Sequence, residues 1–209
     1  MSEAIWVQAL KTVPQIDKAC WDTLNIFTKW LVASRFSVTL MTFTSAIIGI
    51  LLASSTGSIN LGLSILCVIG LILAHATNNL LNDYTDSVKG VDEGNYFRTQ
   101  YGTHVLEGGL LTKKQLMNYI IVTGALAIAC GCAIIYLRGI EVLWLMLAGA
   151  FFVLFYTWPL KKLALGELSV LLVWGPLMVG GSYYVSSGQW SIAAMLIGTL
   201  YALAATAVI

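Results

Sequence analysis

Six long apolar segments constrain the fold of this chain more than any other feature. They cover residues 36–54, 59–82, 117–137, 141–158, 167–185 and 190–209. Each is close to the ~20 residues that an α-helix needs to cross a bilayer. Only 10% of the 209 residues are charged, whereas about a quarter are charged in a soluble domain. The sequence therefore predicts an all-α, polytopic membrane helix bundle with six spans in this chain.

The distribution of positive charge predicts how these spans are oriented. Ten of the 11 Lys and Arg residues lie before or at the first span or in the polar loops 83–116 and 159–166. Only Arg138 falls on the other side. Because cytoplasmic loops carry an excess of Lys and Arg, we expect a protein of a bacterial-type inner or cell membrane with its N-terminus and both loops in the cytoplasm. No basic patch indicates nucleic-acid binding.

Residues 1–35 differ in composition from the apolar segments that follow. They mix Trp6, Trp21 and Trp30 with lysines and aspartates. Tryptophan is enriched at headgroup depth, and helices with one apolar face lie in the interface. The sequence therefore predicts an amphipathic interfacial segment over 1–35, followed by a transmembrane helical domain over 36–209 that carries the cytoplasmic loop 83–116.

The end of the second apolar segment carries an unusual density of polar groups. Three amides and three carboxylates occur within fifteen residues: Asn78, Asn79, Asn82, Asp83, Asp86 and Asp92. Acidic and amide groups at the end of a membrane helix are costly to remove from water, so such a cluster indicates a functional site. The alternative is a solvated helix cap. Against it, the amides reach two turns back into the apolar segment.

The spacing of these residues predicts two rows on one helix, provided that the helix continues to Asp86. The rows are His75, Asn79 and Asp83, and Asn78, Asn82 and Asp86, because residues four apart share a helix face. Carboxylate and amide oxygens suit Mg²⁺, which completes its shell with water and phosphate oxygens. Gly90 would end the helix and let Asp92 fold back, and Lys89 and Arg98 would add positive charge for a phosphate-bearing ligand.

The stretch Asn82–Asp92 (NDYTDSVKGVD) resembles the first aspartate-rich motif of the UbiA superfamily of intramembrane aromatic prenyltransferases, whose general pattern is NDxxDxxxD. Here Gly90 occupies the last position and Asp92 follows two residues later. This variant resembles the menaquinone branch, the 1,4-dihydroxy-2-naphthoate polyprenyltransferases. Three shorter stretches also resemble the family: SRFSVTL at 34–40, with Phe36 in place of the usual proline, YTWPLK at 156–161, and GEL at 166–168 with WGPL at 174–177.

The resemblance implies a reaction and the residues that carry it. A polyprenyl group would pass from its diphosphate to a ring carbon of an aromatic acceptor such as 1,4-dihydroxy-2-naphthoate, within the lipid bilayer and with Mg²⁺ as cofactor. The implied metal ligands are Asn82, Asp83 and Asp86; the diphosphate-binding residues are Arg35, Asn82, Lys89, Arg98 and Lys161; the catalytic residues are Asp83, Asp86, Asp92 and Tyr156; and Asn78, Asn79 and His75 would support them.

Two of these assignments have plain structural alternatives. His75 lies inside a span, where it could hydrogen-bond a neighbouring helix or take part in binding the acceptor. Tyr156 could line the reaction cavity or belong to the interfacial belt of aromatic residues.

The chain departs from the family pattern towards its C-terminus. Family members have about nine membrane helices and a second aspartate motif after the sixth, whereas no paired acidic residues follow Glu93 here. We therefore expect this chain to be an incomplete part of a longer protein. Two other functions stay open from the sequence: an ion-coupled membrane transporter, and a non-catalytic membrane assembly subunit.

Overall fold

The computed structural model describes residues 4–57, 59–89 and 103–206, with the exception of the Lys89 side chain. The regular structure in these ranges is helical, and they contain no β-strand. Ten α-helices follow one another: α1 (Ile5–Lys11), α2 (Lys18–Thr23), α3 (Ile26–Ala33), α4 (Leu40–Thr56), α5 (Leu61–Lys89), α6 (Lys113–Arg138), α7 (Glu141–Phe155), α8 (Gly166–Leu172), α9 (Met178–Ser187) and α10 (Ile192–Thr206).

Among the described residues, five helical stretches are long and apolar enough to cross a membrane, which confirms the predicted all-α membrane fold. They are Phe36–Thr56, Leu61–Val88, Lys113–Arg138, Glu141–Leu160 and Gly166–Ser187. The sixth predicted segment contains α10, which is apolar but has only 15 described residues. The helix α5 extends through Lys89, so the first seven residues of the predicted loop 83–116 are helical.

Two of the spans bend where a proline interrupts them. Pro159 lies in a wide turn over Tyr156–Leu160, in which Trp158 has extended backbone angles. Pro176 lies in a second such turn over Val173–Leu177, in which Gly175 is not helical. Proline lacks the amide hydrogen and its ring clashes with the carbonyl four residues earlier, so the helix opens at both places.

The chain forms two compact units. The first comprises Met1–Leu40 and Ala76–Thr123, and the second comprises Met41–His75 and Gly124–Ile209. In the first unit the N-terminal segment forms the three short helices α1, α2 and α3. Asp17 and Asn25 start α2 and α3 by accepting hydrogen bonds from the amides of Cys20 and Thr28, as N-cap side chains do.

The core of the first unit joins the N-terminal helices to the end of α5. The buried side chains include Trp21 and Leu31 from the N-terminal helices, Leu80 from α5, and Val105 and Leu116 from the chain that follows. Burying a large apolar side chain contributes about 1.5–3 kcal/mol. The N-terminal helices are therefore built into the unit that carries the aspartate motif.

In the second unit, glycines allow two pairs of helices to pack closely. A Cβ atom added to Gly49 of α4 would lie 2.3 Å from the carbonyl oxygen of Val179 in α9. A Cβ at Gly198 of α10 would lie 2.6 Å from the Val179 Cβ. Small residues at helix interfaces are the usual means of close packing in membranes.

We expect Gly49→Ala to destabilise the protein by about 1–3 kcal/mol, because the added methyl group meets a backbone oxygen that cannot rotate away. Gly149→Ala is the matched control, since a Cβ there has no described atom within 4 Å. Unfolding of both variants in mixed detergent micelles should show a lower midpoint for Gly49→Ala alone. Equal midpoints would contradict the close contact between α4 and α9.

Candidate functional site

The polar cluster of the sequence lies in the last turns of one continuous helix. Because α5 runs from Leu61 to Lys89 without a break, the condition for the two predicted rows is met. The row of Asn79 and Asp83 and the row of Asn78, Asn82 and Asp86 therefore follow adjacent lines along the end of α5.

Asp83 forms an ion pair with Arg35. One carboxylate oxygen of Asp83 accepts a hydrogen bond from Nη2 of Arg35. The Asp83 side chain is almost wholly buried at 5% exposed, whereas the Arg35 side chain is 22% exposed. Paired charges are the form in which a carboxylate tolerates burial. The structure thus brings together one predicted metal ligand and one predicted diphosphate-binding residue.

The turn that carries Arg35 has a specific backbone conformation. Arg35 has φ 51° and ψ 51°, in the left-handed region, where it ends the turn after α3 and precedes the 3-10 turn Phe36–Thr39. Non-glycine residues seldom adopt this conformation, and it costs free energy unless its surroundings impose it. The ring of Phe36 packs against Trp30 at 5.6 Å between centroids. The backbone conformation and this packing together set the direction in which the Arg35 side chain projects from the turn.

Asn79 also holds this turn. Its Nδ2 donates a hydrogen bond of 2.8 Å to the carbonyl oxygen of Ser34, the residue before Arg35. One row of α5 side chains therefore binds two successive residues of the turn, Asn79 through the backbone of Ser34 and Asp83 through the side chain of Arg35. Asn79 thus positions the turn that presents Arg35.

The second row contains the other carboxylate of the motif. Asp86 is 3% exposed, and Asn82 and Asn78 are half-buried one and two turns before it, respectively. Asp83 and Asp86 are three residues apart, close to one turn of helix. The remaining predicted residues of this stretch, Asp92, Arg98 and the side chain of Lys89, lie outside the described residues.

The chain from Thr103 to Leu111 lies beside Asp83. The Thr103 hydroxyl donates to the carbonyl oxygen of Pro14 at 2.5 Å and accepts from the amide of Ile16 at 3.1 Å. A small cleft is lined by Asp83, Ser87, His104, Val105, Leu106 and Glu107. This cleft borders the buried carboxylate of Asp83.

The other predicted residues belong to the second unit. His75 Nδ1 hydrogen-bonds the Thr42 hydroxyl at 2.7 Å, and the His75 ring lies against Trp174. Tyr156 is half-buried and packs at the edge of the apolar cluster that includes Trp174. Lys161 is exposed, and its amide donates to the Tyr156 carbonyl oxygen at 2.9 Å.

The donor atoms at the end of α5 fit a hard divalent cation. Within residues 4–57, 59–89 and 103–206, no three or more His, Cys, Asp or Glu side chains form a group that could hold a metal ion. Mg²⁺ that binds together with phosphate needs only one or two carboxylates from the protein. The two buried carboxylates of Asp83 and Asp86 and the amide oxygen of Asn82 supply hard oxygen ligands in suitable number.

Sequence reasoning missed Ser34, Thr42 and Trp174 as partners of the predicted residues. Ser34 acts through its backbone carbonyl, and no side-chain pattern reveals that. Thr42 lies 33 residues before His75, so only the folded chain brings the two together. The one available signal for Thr42 was the unusual run of hydroxyl residues near the start of the first apolar segment, at positions 37, 39, 42, 44 and 45.

Comparison with known proteins adds to this geometry. Residues 41–209 match the UbiA prenyltransferase family. The chain is 29% identical, over 86% of its length, to 1,4-dihydroxy-2-naphthoate octaprenyltransferase of Escherichia coli. It is 28% identical, over 74% of its length, to UbiA prenyltransferase domain-containing protein 1 of Xenopus tropicalis, and 26% identical, over 68% of its length, to the protein of the same name in Homo sapiens.

The matched region covers only part of each relative. The chain spans 60% of the Escherichia coli protein, 45% of the Xenopus tropicalis protein and 42% of the Homo sapiens protein. The similarity therefore concerns the part of these proteins that contains the polar end of α5.

Proposed function

The chain belongs to the UbiA prenyltransferase family, and we propose that the protein transfers a polyprenyl group from its diphosphate to an aromatic acceptor in the membrane. In this reaction the bond between the allylic carbon and the diphosphate oxygen breaks, and the diphosphate leaves with the electron pair. A new bond forms between the allylic carbon and a ring carbon, which loses its proton or its carboxyl group as carbon dioxide.

One observation carries this proposal more than any other. The described part of the family motif, residues 82–89, lies on an unbroken helix in which two carboxylates, Asp83 and Asp86, are buried, with the guanidinium of Arg35 beside the first of them. Buried acids at a membrane helix end are expensive and are found where an ion or a substrate is handled. A leaving diphosphate needs positive charge nearby, which the guanidinium of Arg35 and a cation held by the two carboxylates would supply.

Asn82, Asp83 and Asp86 would hold Mg²⁺ at the end of α5. When bound, the ion neutralises the charge that develops on the departing diphosphate. Arg35 would bind diphosphate oxygens directly. Its guanidinium has five N–H donors, and the ion pair with Asp83 engages Nη2. Because the Arg35 side chain is also partly exposed, donors remain for a phosphate-bearing ligand.

The aromatic acceptor that we propose is 1,4-dihydroxy-2-naphthoate, with menaquinone biosynthesis as the biological role. Two observations support it: the name of the Escherichia coli relative and the Gly90 and Asp92 spacing of the motif. Tyr156 would line the reaction cavity, and Lys161 would contact the diphosphate. The predicted roles of Lys89, Asp92 and Arg98 belong to the same proposal, as does a cytoplasmic location for the N-terminus and the two polar loops.

The test is prenyl transfer by the purified full-length protein in lipid nanodiscs. The reaction contains geranylgeranyl diphosphate, Mg²⁺ and 1,4-dihydroxy-2-naphthoate, and chromatography measures both the prenylated product and the released diphosphate. We expect the two in equal amounts, and we expect EDTA to abolish both until Mg²⁺ is added in excess.

Two other results would change the proposal. Product with a different phenol, and none with the naphthoate, would retain the transferase and replace the acceptor. Absence of product with every phenol, in protein that still folds, would overturn the proposed function.

A further inference from the structure

His75 is held in place inside a membrane span by two contacts within the second unit. Its Nδ1 hydrogen-bonds the wholly buried hydroxyl of Thr42 at 2.7 Å. Its ring lies 5.9 Å from the ring of Trp174, centroid to centroid, with the two planes tilted by 54°. The imidazole therefore has one nitrogen bound and an aromatic ring beside it, which leaves Nε2 as its remaining polar atom.

Both rings present a nitrogen that the protein does not use. Across the described ranges, neither His75 Nε2 nor Trp174 Nε1 forms a hydrogen bond with another residue. Neither nitrogen is fully enclosed by packed side chains. The bilayer interior offers little water to satisfy such atoms, so leaving them unpaired costs free energy. Two neighbouring unsatisfied nitrogens, one on each of two spans, indicate a ligand with polar atoms.

The position of Trp174 is fixed by the bend in its span. Trp174 is 8% exposed and precedes Gly175, at which the helix opens. A Cβ at Gly175 would lie 3.1 Å from the Thr199 Cα of α10, so the bent backbone is packed directly onto that helix. Because Thr42 holds His75 and the bend holds Trp174, the two rings are arranged before any ligand binds, which reduces the entropy lost on binding.

The surroundings identify the chemistry of the ligand. The apolar cluster around Trp174 includes Val170 and Met178, with Met41 and Leu71 packed against it. Such walls favour a flat apolar ring, and the indole adds an aromatic surface. The Nε1–H of Trp174 can only donate. His75 Nε2 donates or accepts according to whether Thr42 donates to Nδ1 or accepts from it, so it pairs with a hydroxyl in either tautomer.

We propose that His75 and Trp174, which lie on two different spans, bind a ring hydroxyl of the aromatic acceptor within the membrane. This inference rests on the proposed function and adds the residues that select the acceptor. The two side chains are uncharged hydrogen-bonding groups in an apolar setting, which suits a phenol and not a diphosphate. The pair would therefore discriminate between acceptors by their hydroxyl groups and would have no effect on binding of the prenyl diphosphate.

The test compares two probes that differ only in the ring hydroxyls. Equilibrium binding of 1,4-dihydroxy-2-naphthoate and of 2-naphthoate is measured under anaerobic conditions with the full-length protein in nanodiscs. We expect the wild type to bind the dihydroxy probe about 10- to 100-fold more tightly, the range given by one or two hydrogen bonds to buried groups. Trp174→Phe and His75→Phe keep a ring at each position. Each should reduce the ratio of the two dissociation constants, 2-naphthoate over 1,4-dihydroxy-2-naphthoate, to about threefold or less.

Trp190→Phe is the matched control, because the Trp190 ring stacks on Tyr184 at 4.4 Å and takes no part in the proposed site. It should keep the wild-type ratio of the two dissociation constants.

In turnover, Trp174→Phe should raise KM for the acceptor and leave KM for the prenyl diphosphate unchanged. A purely structural role of Trp174 would move both. If His75→Phe fails to fold, Trp174→Phe alone decides the question.

The outcomes separate this inference from the proposed function. A wild-type enzyme that prenylates the naphthoate, together with variants that keep the preference for the dihydroxy probe, would overturn the inference alone. Equal binding of both probes by an active wild type would do the same. A wild type that neither binds nor prenylates the dihydroxy probe would overturn both the inference and the proposed naphthoate acceptor.

Discussion

Replacement of Asp86 by asparagine is expected to lower kcat/KM for prenyl transfer by about 10³-fold or more, which corresponds to about 4 kcal/mol of lost transition-state stabilisation. Asp86 is 3% exposed at the end of α5. Asparagine fills nearly the same volume but carries no charge, so it would hold Mg²⁺ far more weakly. A neutral amide is also easier to bury than a carboxylate, and we therefore expect the free energy of unfolding to stay the same or to rise.

Asp22→Asn is the matched control for this substitution. Asp22 is an exposed aspartate that pairs with Lys18 at 2.5 Å, one turn away on α2. The same chemical change there should leave both turnover and stability within error. Initial rates over a range of Mg²⁺ concentrations add a second readout, since Asp86→Asn should also raise the Mg²⁺ concentration that gives half the maximal rate. A loss below tenfold with normal Mg²⁺ dependence would remove Asp86 from the proposed metal site.

The spans and the polar helix end could be predicted because each depends on local sequence. An apolar run of about 20 residues has few alternatives to a membrane helix, and five of the six predicted segments form such helices. The four-residue spacing of the amides and carboxylates required only that α5 continue past Asp83. It continues to Lys89, the last residue of this stretch that the structure describes. The predicted helix end at Gly90 lies outside the described residues.

The partners of these residues could not be predicted, because they depend on packing between distant parts of the chain. No local rule indicates that Arg35 adopts a left-handed conformation; its neighbours Ser34 and Phe36 are ordinary residues there. Asp83, 48 residues away, becomes the partner of Arg35 only once the N-terminal helices pack against α5. The sequence had assigned Arg35 and Asp83 separately, one to the diphosphate and one to the metal.

The same limit applies to the N-terminal segment. Its tryptophans predict an interfacial segment, and one of them, Trp21, is buried in the core of the first unit. Composition cannot distinguish a tryptophan at headgroup depth from one in a protein core, since both environments favour its large apolar ring. Trp6, Leu10, Ile26 and Phe27 are the large apolar residues of this segment that stay exposed, and an interfacial position of the segment stays a prediction.

The contact between Arg35 and Asp83 leads to the second large effect. Arg35→Gln removes the cation and leaves a carboxylate that is 5% exposed. We expect it to lower the free energy of unfolding by about 3–5 kcal/mol, the usual cost of removing one partner of a buried ion pair. Asp83→Asn strands a guanidinium that is 22% exposed and can still reach water. It should therefore destabilise the protein less, by about 1–2 kcal/mol.

The double variant Arg35→Gln/Asp83→Asn separates stability from chemistry. With both charges gone, no buried charge is left without a partner, so much of the lost stability should return. Prenyl transfer should not return, because the diphosphate would still lack Arg35 and the metal would still lack Asp83. We expect the activity of the double variant to stay about 10³-fold below the wild type. Recovery of both properties together would reduce the pair to a structural contact.

The exposed pair Lys18 and Asp22 is the reference for the coupling energy between Arg35 and Asp83, which the two single variants and the double variant together measure. Both of its side chains are more than half exposed, and exposed pairs contribute about 0–1 kcal/mol. A double-mutant cycle with Lys18→Gln and Asp22→Asn should therefore give a coupling energy well below that of Arg35 and Asp83. If the two cycles gave equal coupling energies, Asp83 would be as well solvated as a surface carboxylate. The burial of Asp83 would then give no support to a role of this carboxylate in binding a cation or a diphosphate.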